Sequence, residues 1–550
     1  MTLEYLMRKL DRFETFSDYN RTSPNGFVMG NHQLVPVFDA VDNGLRRFLL
    51  AFGTAAGKTH IPVEILRHLK NKKPGTKTLV MAPRQTMMEN WTAKHLADNG
   101  IRANVHRILD GDTAEIPSSA DFVVVNYDKL PERMQYLSQI VTYAEKADLI
   151  IADECHNAKN RSGKQSQGLQ RIIEASPDAR FIALSASPCP NKISDLGMIL
   201  FMLDPKRYAH YATKPFRIQE DKEAFWEMRE KGQMYFFDRD AVKKFYNLPE
   251  FTEHDPIPVT FGTEFTQRYF DAFTECFDGE VKEMGRALHS LERVSIEGVI
   301  ASPQTQAYLR KRLAEGYAIN IFSHLRNAED GKPKDTGIFS QLEVMLKRVG
   351  AKNIRLIHGD TPQKEREEIQ ELMAAGKIDA LINQWDCTQE GFSEVAGDRP
   401  VMIWPLRSPF APGQQIQIVG RSYRLGQFGQ VEYVEFHPQC NDLTERMERH
   451  VRAYAKKNKM HVKSTWTPTL FHQDAYAIRK DKEKKIMVML TNRAAVLQDD
   501  EAGEVDSMRS YAKLLTKTRV LEPENEDYFG KGTRVAIRFV GMDYDEGLHA

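Results

Sequence analysis

The chain has 550 residues, 76 basic and 76 acidic, and so carries no formal net charge. Its length exceeds one ordinary core and implies roughly two to four domains, while 41% apolar and 28% charged residues exclude a disordered or fibrous bias. No apolar run approaches the ~18 residues of a membrane span, the N-terminal stretch lacks a signal-peptide core, and five scattered cysteines without a CxxC pair argue against a zinc or disulfide framework.

These features place the protein in a reducing cytoplasm or nucleus, with no membrane as partner. Without a basic excess, any nucleic-acid binding must come from local patches. The candidates are Lys70, Lys72, Lys73 and Lys77, then Lys456, Lys457 and Lys459, then Lys480 to Lys485, and for each run taken alone solvated surface is the preferred reading.

In chain order, residues 1–28 read as an N-terminal accessory segment. Phe48 to Phe52 is an apolar run of strand length, Gly53-Thr54-Ala55-Ala56-Gly57-Lys58-Thr59 follows, and His60 to Leu69 has helical apolar spacing. Strand, glycine turn and helix form the context of a phosphate loop. Backbone amides at the helix start bind phosphate oxygens, Lys58 reaches the β- and γ-phosphates, and the Thr59 hydroxyl ligates Mg²⁺. The usual glycine four positions before Gly57 is replaced here by Phe52, the nearest being Gly53.

Leu149 to Ala152 reads as a buried strand running into Asp153 and Glu154. Beside a phosphate loop, Asp153 holds Mg²⁺ and Glu154 polarises the attacking water. Phe181 to Leu184 is a further strand, ending in Ser185-Ala186-Ser187, hydroxyls suited to sensing the γ-phosphate. Residues 206–316 are rich in aromatic and charged residues, with helices expected over Phe265 to Phe277 and Val281 to Val294 and a polar loop later at Arg326 to Gly337.

Ile319 to Phe322, Ile354 to Ile357, Ala380 to Ile382 and Val401 to Trp404 read as buried parallel strands, with helices over Ile338 to Val349 and Lys364 to Met373. This is a second α/β layer of the same class. Arg421 and Arg424 fall one helical turn apart, with Gln417 on the same face. Supplied across a cleft, such guanidinium groups stabilise charge on a transferring phosphoryl group. Ile486 to Leu490 and Arg534 to Val540 read as strands, and Glu522 to Asp527 as an acidic turn or linker, of a small C-terminal domain of unknown role, docking of a partner protein being one candidate.

Taken together, these segments resemble helicase superfamily two. Thr78 to Pro83 with Asn90-Trp91, Val123 to Tyr127, Asp153 to Asn160, Ser187-Pro188 with Phe201 to Pro205, His358-Gly359-Asp360 with Arg366, and above all Gln417-x-x-Gly420-Arg421-x-x-Arg424-Leu425-Gly426-Gln427 are similar to its Swi/Snf-type branch. The irregular phosphate loop, Cys155, Ala186 and the altered stretch Asp386 to Phe392 fit a divergent viral or bacterial member.

The resemblance implies an α/β fold of two RecA-like lobes with a helical insertion, to which the apolar runs near the end add a small C-terminal α+β extension. It divides the chain into lobe 1 at 29–206, linker and helical insertion at 207–316 and lobe 2 at 317–455, while residues 456–550 fall outside it and read as a C-terminal domain of unknown role. It implies ATP and Mg²⁺ as cofactors, Gln33 as the adenine reader, and Pro83, Arg84, Asn126, Tyr127 and Gln389 on the nucleic-acid side. It implies helical protrusions from the insertion that touch duplex DNA or hold the lobes apart. The expected activity is Mg-ATP-driven translocation on double-stranded DNA. A strand-separating DNA or RNA helicase and a nucleotide-binding scaffold without turnover are the alternatives.

Overall fold

The structure is a computed structural model. It describes Thr22, Gly26 and residues 28–53, 56–83, 90–108, 115–131, 136–159, 163–188, 195–212, 226–228, 231–237, 248–278, 284–325, 337–385, 393–463, 466, 468–491 and 521–523. The expected loop at Arg326 to Gly337 lies almost wholly outside these, as do the strand at Arg534 to Val540 and nearly all of residues 1–28.

Two parallel sheets organise the chain. The first contains β1 (Arg47–Phe52), β2 (Thr78–Ala82), β3 (Val105–Ile108), β4 (Phe122–Asn126), β5 (Leu149–Ala152), β6 (Arg180–Leu184) and β7 (Met234–Phe237), in the spatial order β3-β4-β2-β5-β6-β1-β7. Its strands are short and apolar because helices cover both faces. Along β1 the faces alternate: Phe48, Leu50 and Phe52 join one buried cluster, Leu49 and Ala51 the other.

The second sheet contains β8 (Phe251–Glu253), β10 (Ala318–Ser323), β11 (Ile354–Ile357), β12 (Ala380–Gln384), β13 (Val401–Pro405) and β14 (Val431–Tyr433), in the order β11-β12-β10-β13-β14-β8. Between β8 and β10 comes β9 (Ile257–Thr260), which pairs in parallel with β15 (Phe436–Gln439) beside this sheet. These are two RecA-like α/β lobes. The segment between them contributes an edge strand to each sheet, β7 to the first and β8 to the second.

The two long helices of the insertion, Thr263–Asp278 and Met284–Ala301, do not protrude. Tyr269, Phe273, Phe277, Leu288, Leu291 and Val294 share one buried cluster with Ile319, Ile321, Met402 and Trp404 of the second sheet. An aromatic stripe at helical spacing cannot stand in water when a sheet face offers burial.

Ile486 to Leu490 is helical, not a strand, because it closes the helix Phe471–Thr491. Its five apolar residues fit either period, and the helix-forming Ala, Arg, Lys and Glu residues before them decide the outcome. Leu470, Phe471 and Ala475 enter the second-lobe cluster, and Arg479, fully buried, donates to Glu435 Oε1 at 3.0 Å and to Glu483 Oε1 at 3.1 Å. Glu522, expected in a turn, lies in a strand, Leu521–Pro523, that pairs antiparallel with Met460–Val462. No helix among the described residues is long and apolar enough to cross a membrane.

Candidate ATP site

The phosphate loop leaves β1 later than the usual spacing requires. Phe52 is the last residue of the strand and fully buried, its ring 5.8 Å from that of His32, so the turn begins only at Gly53. Gly57 has φ +65, a left-handed conformation that a side chain resists, and it delivers Lys58 and Thr59 to the start of helix His60–Lys72. The Thr59 hydroxyl makes no cap hydrogen bond there. Thr54 lies outside the described residues.

Gln33 is fully buried on helix Asn31–Val41. Its Nε2 donates to the carbonyls of Ala56 (3.2 Å) and Gly57 (2.9 Å), and its Oε1 accepts from the Gly30 amide at 2.8 Å. The expected adenine reader is thus bound to the phosphate loop, which it braces.

At the end of β5, Asp153 is 1% exposed. Its Oδ2 accepts from the Trp91 indole nitrogen at 2.9 Å and its Oδ1 from the Glu154 amide at 3.0 Å. Burial, with the neighbouring Glu154 charge, pushes its carboxyl up to about 6. Glu154 has the left-handed φ of +48, rare outside glycine and a form of backbone strain that gathers at functional sites. This turn brings Glu154 Oε1 to 2.7 Å from Lys58 Nζ and Oε2 to 3.2 Å from His156 Nδ1. Burial alone would raise this carboxyl, but Lys58 and His156 hold it well below the usual range. Burial keeps Cys155 a thiol.

His156 Nδ1 also lies 3.0 Å from Ser185 Oγ at the end of β6, and its Nε2 lies 3.2 Å from Gln417 Nε2 of the second lobe. An amide nitrogen only donates, so imidazole Nε2 accepts and its proton sits on Nδ1, facing Glu154 and Ser185. Gln417 and Arg421 lie on helix Pro412–Ser422, with Arg421 5% exposed.

Arg424 is not one helical turn from Arg421, as its spacing suggested. The helix ends at Ser422, Tyr423 leaves it at ψ 79, and Gly426 turns the chain at φ +93. That turn is stapled by Gln427, 1% exposed, whose Oε1 accepts from the Ala396 amide and whose Nε2 donates to the carbonyls of Arg399 and Gly429.

Two of the expected nucleic-acid residues are corrected. Tyr127 is 2% exposed and its hydroxyl donates to the Asp153 carbonyl at 2.9 Å. Pro83 is buried at the exit of β2. Both close the sheet edge beneath the site because strand ends of a buried sheet run into core, so neither presents a side chain to a ligand. Asn126 is half-buried, its Oδ1 accepting from the Asp128 amide. Arg84 and Gln389 lie outside the described residues.

The first basic run is structural. Lys70 and Lys73 pair with Asp121 at 2.6 Å and Asp148 at 2.7 Å, at the opposite ends of the strands from the site. In the third run, Lys480 lies 2.8 Å from Glu253 Oε1.

Sequence reasoning assigned no role to Trp91, His156 or Gln427, although each falls in a quoted motif. Their partners are 62, 261 and 31 residues away, beyond any local signal.

The Asp153 carboxylate and the Thr59 hydroxyl are oxygen donors of the kind a hard divalent cation takes.

Residues 26–189 match the family described as type III restriction enzyme, res subunit, and residues 306–426 the helicase conserved C-terminal domain. Among solved structures, the chain is similar to the Sulfolobus solfataricus SWI2/SNF2 ATPase core in complex with dsDNA, at 16% identity over 84% of this chain and 97% of that one, with a TM-score of 0.35. It is also similar to the DUF1998 helicase MrfA bound to DNA, at 15% identity over 90% of this chain and 57% of that one, with a TM-score of 0.45.

Proposed function

We propose that this chain, a superfamily-two, helicase-type ATP hydrolase with both of its family domains, is a Mg-ATP-dependent translocase on double-stranded DNA of the Swi/Snf type. The domain matches already set aside a scaffold without turnover. The observation that carries the finer reading is the Gly426–Gln427 pair. This ending, which separates the Swi/Snf-type branch from most other helicases, is built here as a buried staple that fixes the turn after Arg421.

In this reading Lys58 holds the β- and γ-phosphates, and Gly53, Thr54 and Gly57 shape the loop whose amides bind them. Thr59 and Asp153 would hold Mg²⁺, which would screen the phosphate charge. Glu154 exchanges Lys58 for the attacking water once phosphate draws the ammonium away, and loss of that cation raises the carboxylate's proton affinity, which suits it to accept a hydrogen bond from that water. Arg421 from the second lobe meets the charge on the transferring phosphoryl group, and Arg424 contributes from the turn beyond. Hydrolysis therefore requires the lobes to close, and the His156–Gln417 contact reports closure to Glu154. Arg84, Asn126 and Gln389 face the DNA, and residues 456–550 contribute a docking site for a partner protein.

The test is phosphate release from ATP without polymer, then with duplex DNA, single-stranded DNA and RNA. Strong stimulation by duplex DNA alone, with no unwinding of a partial duplex, is the expected result. Preference for single strands or RNA, or strand separation, would overturn it in favour of an unwinding helicase.

A further inference from the structure

Glu394 is fully buried in the second lobe, away from the nucleotide-side carboxylates. Its Oε2 accepts from Asn320 Nδ2, at the middle of β10, at 3.0 Å, and that same nitrogen donates to Ser422 Oγ at 2.9 Å. The Glu394 amide donates to the Arg421 carbonyl at 2.9 Å. Glu394 Oε1 has no hydrogen-bond partner among the described residues. Two ties, one through Asn320 and one through the backbone, therefore join Glu394 to the last turn of the arginine-bearing helix.

A buried acid with an unsatisfied oxygen is costly as a carboxylate and tolerable only as the neutral acid. The groups facing it are Asn320 from β10 and Arg421 with Ser422 from the helix, and of these Arg421 carries charge. Burial pushes the Glu394 carboxyl up to about 8, against the opposing pull of Arg421. An expensive group of this kind beside a functional arginine is more readily explained by a role than by stability.

We propose that Glu394 is a positioning residue for Arg421: uncharged, it fixes the end of the arginine-bearing helix through Asn320 and Ser422, and charged, it draws the guanidinium towards itself and away from the nucleotide. This rests on reading Arg421 as the second lobe's contribution to ATP hydrolysis.

The experiment compares the pH dependence of kcat and KM for ATP in the full chain with Glu394→Gln and Arg421→Lys. If only the protonated form positions the arginine, wild-type kcat falls about tenfold one pH unit above the Glu394 pKa, with KM for ATP little changed. Glu394→Gln, which cannot ionise, loses this alkaline fall. An infrared difference spectrum of the wild type between pH 7 and 9 reads the carboxyl without any variant, and loss of a protonated-carboxyl band with a midpoint near the same pH is expected.

Full activity in Arg421→Lys would overturn the underlying reading of the arginine. A large loss in Arg421→Lys together with identical pH profiles for wild type and Glu394→Gln would overturn the positioning role alone. So would the absence of the infrared band.

Discussion

Gln417 Nε2 of the second lobe lies 3.2 Å from His156 Nε2 of the first, and the other face of that imidazole touches Glu154 and Ser185. One ring thus connects the lobe carrying Arg421 to the carboxylate read as the water activator. Gln417→Ala is expected to retain ATP binding while losing most polymer-stimulated turnover, measured as nucleotide affinity beside phosphate release. Unchanged stimulation would remove His156 from the coupling between lobes.

Lys58→Ala removes the cation that holds Glu154 low and the group read as binding phosphate. Turnover should drop to background while the circular dichroism spectrum and melting cooperativity persist, since Lys58 lies at the surface of the cleft and not in a core cluster. Wild-type turnover in soluble Lys58→Ala protein would sink the site assignment.

The Trp91 indole is buried, stacked on Phe122 with ring centroids 6.3 Å apart, and donates to the Asp153 carboxylate. Trp91→Phe keeps most of the packing and deletes the donor. Second-layer donors of this kind typically tune metal affinity about 10–100-fold, so the Mg²⁺ concentration for half-maximal ATPase should rise by that order. Mn²⁺ binding in the presence of a non-hydrolysable ATP analogue checks it independently of activity.

Two buried histidines, His32 and His472, and the half-buried His60 set an acid limit. Burial lowers His32, His60 and His472 to about 4. Between pH 6.5 and 4 the unfolded chain takes up protons that the folded one refuses, so stability is full above pH 6.5 and falls on acidification. Each such group contributes at most about 1.4 kcal/mol per pH unit. His472→Gln should flatten part of the decline in melting temperature across that window, and an unaltered decline would show that His472 does not contribute.

Arg479 is fully buried against Glu435, with Glu483 and Glu253 at 3.1 and 3.5 Å. Breaking a buried ion cluster from one side typically costs about 3–5 kcal/mol. Arg479→Ala is therefore expected to loosen the helix Phe471–Thr491 from the second lobe, read as early proteolysis near that helix. Wild-type resistance to protease would mean that the apolar contacts of Leu470, Phe471 and Ala475 suffice.

Much of this was legible in the sequence. Apolar runs marked β1, β5, β6, β12 and β13 because strands buried on both faces leave few polar positions to blur them, and β10 stood out in spite of Asn320 at its middle. Asp153 and Glu154 could be named because they follow such a run directly, and Lys58 because the glycine turn after β1 leads to it. Arg424 was misplaced because helical spacing was extended past Ser422, and Gly426 alone did not reveal where the helix stopped. Tyr127 was assigned outward from its position in a motif, which cannot say which way a side chain turns. Nothing local gave Glu394, Asn320 or Trp91 a role, and only the folded sheet brings them to their partners.

The connection between the lobes sets a bound of its own. β7 ends at Phe237 as an edge of one sheet and β8 begins at Phe251 as an edge of the other. The intervening chain, even drawn straight, reaches only about 45 Å. It is a leash anchored by backbone hydrogen bonds at both ends. Any stroke of the two lobes is limited to its slack, and a wider excursion must first unzip an edge strand, which amide exchange at Met234–Phe237 or Phe251–Glu253 would record.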